Sequence, residues 1–438
     1  RFVACFADIE EKGVYGGSKR DPEIKVATAP QAKQLAKLEK QLALLQSQVK
    51  DATQGEAVQK QIDVIKVQQT SIEKQFVRTM ITRSVEPTVI RILPRGDWLN
   101  SSGAVVDPGV PEHFGKETSP REQRFTRLDL ANWIVAKENP LTSRVFVNRL
   151  WKMFFGRGLS SRLDDLGIQG EWPTHPALLD YLSVRFVDSG WNVKQIIKLI
   201  VMSRTYQQSS TLRPMDISAD PINLYFARQS RWRLEAEFIR DNILSVSGLL
   251  DLTIGGPSVF PYQPSGYWRY LNFPTRTWKS DSGTSQYRRG LYTHWQRTLV
   301  HPAMLALDAP TREECTAMRS ISNTPAAALT LLNDPTFVEA ARALAVRAVQ
   351  LGGEQENDKI RWLFLQVLSR PDTQQERGAV VQILKTAREH YTDDPQAAVQ
   401  LQTNGLFKLE STVDVIEVSA WTMVCRVVLN LSETITRN

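Results

Sequence analysis

The chain has 438 residues, enough to bury more than one hydrophobic core and to form about two or three domains. Hydrophobic residues make up 42% of it and charged residues 23%, which is typical of soluble globular proteins, and no apolar run reaches the roughly 20 residues of a membrane-spanning helix. The net charge of +7 is spread along the chain. Nucleic-acid binding usually shows a concentrated basic stripe with stacking aromatic residues, so this composition argues against it.

Residues 31–82 carry a coiled-coil pattern that predicts two helices joined as a hairpin arm. Leucines recur at steps of three and four from Leu35 to Leu45, and a second apolar series with the same spacing starts at Val58. Gly55 separates the two series, and a glycine costs a helix interior about 1 kcal/mol. The apolar stripe is narrow and the outer faces are rich in lysine. This pattern favours an arm that grips a partner over one that packs against the body.

Residues 83–126 are predicted to form a short β-containing connector. Apolar residues cluster between Val89 and Leu93, and turn-forming residues follow. The tripeptide Arg95-Gly96-Asp97 also matches an adhesion motif. A match of three residues often arises by chance, and we interpret this one as a turn.

From residue 127 onward the apolar spacing is helical and predicts a multi-helical body. It falls into two helical subdomains, 127–254 and 301–438, separated by a long irregular aromatic loop region at 255–300. The first helix should end before Asn139-Pro140, and the third should begin at Thr174-His175-Pro176 with Thr174 as its N-cap. The other predicted helices span residues 141–155, 192–206, 233–250, 325–351, 358–368, 374–391, 394–401 and 413–429. The predicted fold class is therefore mainly α, with a helical hairpin arm, a connector and a multi-helical body.

Two long blocks of this body carry a resemblance to a known family. The first runs from Arg127 to Trp191 and begins RLDLANWIVAKENPLTSRVFVNRLW. The second runs from Tyr287 to Asp334 and reads YRRGLYTHWQRTLVHPAMLALDAPTREECTAMRSISNTPAAALTLLND. In this order they resemble the C-terminal domain of the planctomycete-type PSCyt/PSD proteins, a family of unknown function associated with c-type cytochrome domains. The chain departs from the family pattern at Met318, where an arginine is usual.

The resemblance implies a location and a context for the chain. Residues 1–30 look like the end of the family's preceding domain, and the longer polypeptide is expected to be exported to the periplasm or cell surface. The three cysteines, Cys5, Cys315 and Cys425, do not form the Cys-x-x-Cys-His motif that attaches haem. We therefore expect no cofactor in this chain and any c-type haem upstream of it. Cys315 and Cys425 could pair in an oxidising compartment, but free thiols are the simpler expectation.

The candidate functional residues are polar side chains of the body. Arg144 and Asn148 lie four residues apart on one predicted helix face, where they could bind a carboxylate or sugar hydroxyl or tie helices together. His301 and Asp308 are the candidate catalytic acid and base. An arginine-rich cluster supplies the other ligand-binding candidates, because a guanidinium binds carboxylate or sulfate through two hydrogen bonds. These candidates are Arg288, Arg289, Arg312 and Arg319. No metal-ligand spacing occurs, so no metal site is predicted.

Three functions are compatible with these patterns. The first, which we favour, is a non-catalytic interaction or scaffolding module of a larger exported, cytochrome-c-linked protein, binding a protein partner or a second copy through the arm. The second is an enzyme or binding protein for an anionic or carbohydrate ligand at the arginine-rich cluster. The third is an electron-transfer docking partner. A deep pocket shared by Arg144, Arg289 and His301 would favour the second, and burial of those side chains against backbone would favour the first.

Overall fold

The computed structural model describes residues 1–10, 22–48, 55–111, 114, 123–270, 277–296, 298–411 and 413–437. The chain divides into two compact units, Arg1–Thr142 and Ser143–Asn438. Helices dominate, and the strands are short and paired only two by two, so the predicted mainly α fold class is confirmed. None of the helices in the described ranges combines the length and hydropathy needed to span a lipid bilayer.

The first unit holds a helical hairpin on a stem of paired strands. Its elements are β1 (Ile9–Glu10), β2 (Glu23–Val26), α1 (Ala29–Gln48), α2 (Gly55–Lys74), β3 (Val77–Met80), β4 (Arg83–Ser84) and α3 (Arg127–Ile134). Strand β2 pairs antiparallel with β3, and β1 pairs antiparallel with β4, so the strands that enter and leave the hairpin are hydrogen-bonded to each other. The segment before residue 30, which the family resemblance assigns to a preceding domain, thus supplies half of the stem.

The hairpin closes along the seam that the sequence predicts. Leu38 on α1 and Val58, Ile62 and Ile72 on α2 are buried where the two helices pack, and Gln69 is half-buried in the same row. These positions are spaced mostly by three or four residues along each helix, so one row of side chains on each helix is buried against the other.

The connector contains little regular structure. Arg91 and Val105 form an isolated antiparallel bridge. Pro94–Gly96 forms a single 3-10 turn that overlaps the Arg-Gly-Asp tripeptide, for which the sequence predicts a turn. A small core of Cys5, Val110 and Leu130 lies in the same unit.

The second unit is a helical body with one two-stranded ribbon. Its elements are α4 (Pro140–Phe155, which starts at the unit boundary), α5 (Pro176–Asp188), α6 (Val193–Val201), α7 (Pro214–Ala219), β5 (Trp232–Arg233), α8 (Ala236–Ser247), α9 (Pro302–Ala306), α10 (Pro325–Asn333), α11 (Pro335–Leu351), α12 (Glu356–Leu368), α13 (Gln374–Asp393), α14 (Pro395–Gln402), α15 (Val415–Leu429) and β6 (Thr436–Arg437). Strand β5 pairs antiparallel with β6. Helices α4 to α6 enclose a smaller core, and α8 to α15 enclose a larger one.

Helix α11 is the centre of the larger core. It is buried along most of its length, and the alanines Ala340, Ala341 and Ala345 are fully buried. Small side chains let helix backbones approach closely, and α11 packs extensively on α15.

Several helix boundaries differ from the prediction. The single helix expected at 325–351 is two helices, because Asp334 caps α11 with its side chain and Pro335 occupies the first turn. Helix α5 has His175, not Thr174, at its N-cap. Helix α6 ends at residue 201 rather than 206, and the short helices α7 and α9 were not predicted.

Aromatic rings hold the irregular loop region together. Phe260 stacks on His294 with ring centroids 4.6 Å apart, and Trp278 meets Trp268 edge-on at 5.0 Å. Residues 271–276 and 297 of this predicted region lie outside the described residues. The described parts are anchored by hydrogen bonds between the segments around residues 259 and 293.

Candidate functional site

Arg144 and Asn148 share helix α4 but have different surroundings. Asn148 is fully buried, and its side-chain amide donates to the Ser160 carbonyl at 2.9 Å and accepts from the Ser160 N–H at 3.0 Å. Arg144 Nε lies 2.8 Å from Asp180 Oδ1, beside an open groove of about 640 Å³. Asn148 therefore fixes the turn after α4, while Arg144 lies in an ion pair at an accessible surface.

Arg288 fastens the irregular loop from within. Its side chain is buried and donates to three backbone carbonyls in the segment 253–257, two of them at 3.1 Å. Its guanidinium carbon also lies 3.8 Å from the ring centroid of Tyr292, and that of Arg289 lies 5.7 Å from the same ring. The Nη donors of Arg288 are therefore directed at the protein's own backbone.

His301 is a buried neutral imidazole. Its Nε2 lies 2.7 Å from the Tyr262 carbonyl, and because a carbonyl only accepts, Nε2 carries the proton. Burial lowers the His301 pKa to about 4; the Tyr262 carbonyl opposes this and the Arg240 charge adds to it. Nδ1 is buried and has no hydrogen-bond partner among the described residues. His301 borders a cavity of about 10 Å³ that Arg240 and Asp334 also line.

Asp308, the predicted partner of His301, lines a different cavity. It accepts hydrogen bonds from the Ser322 N–H at 2.8 Å and the Ser322 hydroxyl at 2.7 Å, and it pairs with Arg233. Burial would raise the pKa of Asp308, but these hydrogen bonds and the Arg233 charge outweigh it, so its pKa lies below the ordinary value. The carboxylate holds the segment after α9 to β5.

Arg312 and Arg319 converge on one carboxylate at the start of α8. Arg319 Nη1 lies 2.6 Å from Glu237 Oε2, and Arg312 Nη2 lies 3.3 Å from Glu237 Oε1. Burial would raise the pKa of Glu237, yet the two arginines outweigh it and the pKa is lowered. The guanidinium carbon of Arg312 also lies 3.8 Å from the ring centroid of Trp295. Both arginines are therefore paired within the fold.

A cavity of about 270 Å³ opens at the start of α8, and we call it the α8 cavity. Its charged walls combine two of the predicted candidates, Arg319 and Asp308, with residues that the sequence patterns did not single out. These are Lys152, Arg233, Glu235 and Arg437. Glu235 lies 3.1 Å from Lys152 Nζ and 3.4 Å from Arg319 Nε. The six charged residues come from four separate segments of the chain: α4, the stretch from β5 to the start of α8, the loop between α9 and α10, and β6. No local sequence motif therefore connects them.

A second polar group that the sequence analysis missed lies inside the larger core. Glu339 and Arg342 on α11 are both fully buried. Glu339 accepts from the Tyr287 hydroxyl at 2.7 Å and the Phe407 N–H at 2.5 Å, while Arg342 donates to the Gln402 side chain and to carbonyls of residues 402–407. Burial and the neighbouring Glu339 raise the pKa of Tyr287. This network ties α11 to the loop after α14.

The cysteines are free thiols, with Cys5 and Cys425 buried and Cys315 exposed. Burial raises the pKa of Cys425, which keeps it protonated. Within the described ranges, no three histidine, cysteine, aspartate or glutamate side chains are grouped as metal ligands would be.

Together, fold and site define a mainly α protein of two units, with a helical hairpin in one and a cation-lined cavity in the other. The sequence profile of PSD1, described as a protein of unknown function (DUF1553), matches residues 126–384, which is more than half of the chain. The chain therefore belongs to the PSD1 family, and the family resemblance is confirmed. Comparisons with curated proteins and with solved structures gave no match.

Proposed function

We propose that the chain is a non-catalytic interaction module whose hairpin arm binds a second copy of the same arm. The observation that carries this proposal is an apolar groove between α1 and α2, with a volume of about 540 Å³. Leu44, Leu45, Val64 and Ile65 line it, and Leu44 and Val64 are 65% and 57% exposed. Val67, on the next turn of α2, is 69% exposed. Contiguous exposed apolar side chains of this kind mark association surfaces.

The polar residues of this groove suit a second copy. Three of the four, Gln41, Gln61 and Gln68, are glutamines, and the fourth is Lys60. A glutamine amide both donates and accepts, so two identical grooves related by a two-fold axis can satisfy each other's hydrogen bonds. Residues 41–48, QLALLQSQ, carry no charge, so burying them desolvates no ion.

Charge along α1 favours an antiparallel arrangement of the two arms. Its lysines, Lys33, Lys37 and Lys40, precede the uncharged segment 41–48 and lie toward the strand stem. A parallel pair would bring like lysines together, whereas an antiparallel pair places them opposite the uncharged segment.

The body supports the non-catalytic part of the proposal. Asn148 and Arg288 are bonded to backbone, and Arg319 is bonded to Glu237. His301 has a pKa of about 4, far from the neutral range in which a general base works best. The family resemblance supports placing the module outside the cytoplasm, in a longer polypeptide with a c-type cytochrome domain.

Sedimentation equilibrium of the intact chain tests the proposal. We expect a concentration-dependent dimer that the double variant Leu44→Lys, Val64→Lys converts to a monomer with an unchanged melting temperature of the second unit. Gln46→Lys with Ser71→Lys is the matched control, because both positions are exposed on the same helices outside the groove lining. A wild-type chain that stays monomeric at every concentration would contradict self-association. A dimer that survives the groove variant would place the interface elsewhere.

A further inference from the structure

The α8 cavity holds more positive than negative charge. Four cationic side chains line it against two carboxylates, Glu235 and Asp308, which leaves a formal surplus of two positive charges. The cations are Lys152, Arg233, Arg319 and Arg437. The N-terminus of the 12-residue helix α8 lies at the same place and adds the positive end of its dipole. A cleft lined by one prevailing sign of charge concentrates ions of the opposite sign.

Both carboxylates of the cavity are already shared among three of the cations. Glu235 lies between Lys152 and Arg319, and Asp308 accepts from Arg233 and Ser322. Glu237, outside the cavity lining, also lies 2.6 Å from Arg319 Nη1, so three carboxylates offset these three cations and the uncompensated charge is that of the fourth cation, Arg437.

Arg437 is oriented by aromatic rings and has no carboxylate partner in the described part of the chain. Its guanidinium donates to the Tyr206 hydroxyl, and its central carbon lies 4.8 Å from the Tyr206 ring centroid and 5.0 Å from that of Trp232. Trp232 is its neighbour across the β5–β6 ribbon, so the contact follows from strand register. A guanidinium held in this way is suited to a bidentate bond with a carboxylate.

The rim of the cavity is apolar and accessible. Met153, Phe238 and Ile321 line it and are 52%, 48% and 62% exposed. The indole of Trp232 has little open face for stacking on a sugar ring, because Gly156 covers one side of it, where an added Cβ would lie 2.9 Å from the indole. The Arg437 guanidinium also contacts the Trp232 ring, with its central carbon 5.0 Å from the ring centroid. The walls therefore favour an apolar ligand body over a carbohydrate.

We propose that the α8 cavity binds a small organic carboxylate whose charged group pairs with Arg437 and whose apolar part covers Met153, Phe238 and Ile321. Its volume of about 270 Å³ suits a ligand smaller than a typical drug, since pockets for those span roughly 300–1,000 Å³. This site is separate from the arm groove and does not depend on self-association.

Isothermal titration of the intact chain at low salt, with phenylacetate as the probe, tests this site. We expect phenylacetate to bind and 2-phenylethanol, which keeps the ring and lacks the charge, to bind at least about tenfold more weakly, as the loss of a hydrogen bond to a charged group predicts. Glucuronate, which keeps the carboxylate and lacks the apolar body, should also bind more weakly. No binding of phenylacetate, or equal binding of either comparison compound, would overturn the proposal.

Two variants locate the binding. Arg437→Gln should weaken phenylacetate binding by at least about tenfold, while the matched Arg361→Gln, at an exposed position on α12, should bind like the wild type. Ile321→Glu places a negative charge on the exposed rim and should also weaken binding, which keeps the test valid if Arg437→Gln folds poorly. Wild-type affinity in Ile321→Glu or in a folded Arg437→Gln refutes the assignment.

Discussion

Acid should destabilise the second unit through His301. The His301 pKa is about 4 in the folded chain against 6.5 for an unperturbed histidine. The folded value is the lower one, so the unfolded state takes up the proton first. The stability that neutral His301 contributes is therefore complete above about pH 6.5 and is lost as the pH falls toward 4.

The size of this effect follows from the two pKa values. Each pKa unit corresponds to about 1.4 kcal/mol, so a difference between 6.5 and about 4 sets a ceiling of about 3 kcal/mol. At pH 5 about 2 kcal/mol of it should already be lost.

Urea unfolding followed by circular dichroism at pH 8 and pH 5 measures this loss. His301→Gln should be less stable than the wild type at pH 8. Between pH 8 and pH 5, however, its free energy of unfolding should fall by about 2 kcal/mol less than that of the wild type. His390→Gln, at an exposed histidine of α13, is the control and should keep the wild-type dependence. If His301→Gln and the wild type lose equal stability between the two pH values, the imidazole titrates normally in the fold and the argument from burial is refuted.

Three further substitutions test the buried network and the arginine cluster by chemical denaturation. Gly405→Ala should cost more than about 3 kcal/mol, because the residue has φ 83° and an added Cβ would lie 2.2 Å from Glu339 Cδ. The control Gly190→Ala, with φ 71° and open space around it, should cost only about 1 kcal/mol. Equal losses in the two variants would contradict the clash at residue 405. Arg342→Met should cost about 3–5 kcal/mol, since it leaves buried carbonyls of residues 402–407 without their donor and removes a positive charge that acts on buried Glu339, and a loss under about 1 kcal/mol would show that these interactions are not needed. Arg312→Gln should cost less than about 1 kcal/mol because the Arg312 side chain is 40% exposed and Glu237 keeps its shorter bond to Arg319, and a larger loss would mean that Trp295 packing dominates.

The sequence predicts the parts of the fold that local spacing determines. The seam residues Leu38, Ile62 and Ile72 were identified because apolar periodicity reports directly on which helix face is buried. Prediction was weaker where a proline lies between two helical patterns, as at Pro335, because spacing alone does not show whether the second pattern starts a new helix. The pairing of strands on either side of the hairpin was not predicted, since strands of two to four residues are too short to show a recognisable period.

The polar sites show a different limit. Arg319 and Asp308 were singled out by local density, but the α8 cavity also needs Arg437, more than 100 residues away, and only tertiary packing brings them together. Glu339 and Arg342 did leave a signal: they lie three residues apart on one face of a mainly apolar helix, which predicts buried polar side chains there. His301 was named as a catalytic candidate because of its residue type. Its low pKa results mainly from burial, which the sequence does not show.

Deleting residues 33–74 and joining the ends with a short glycine–serine linker tests the central claim most directly, because it removes the groove and leaves the strand stem. Melting and sedimentation are then measured on the same samples. The account predicts that the thermal transition of the second unit is preserved and that self-association is lost. A large fall in that melting temperature, or a dimer that persists without the arm, would contradict the assignment of the arm as the attachment element.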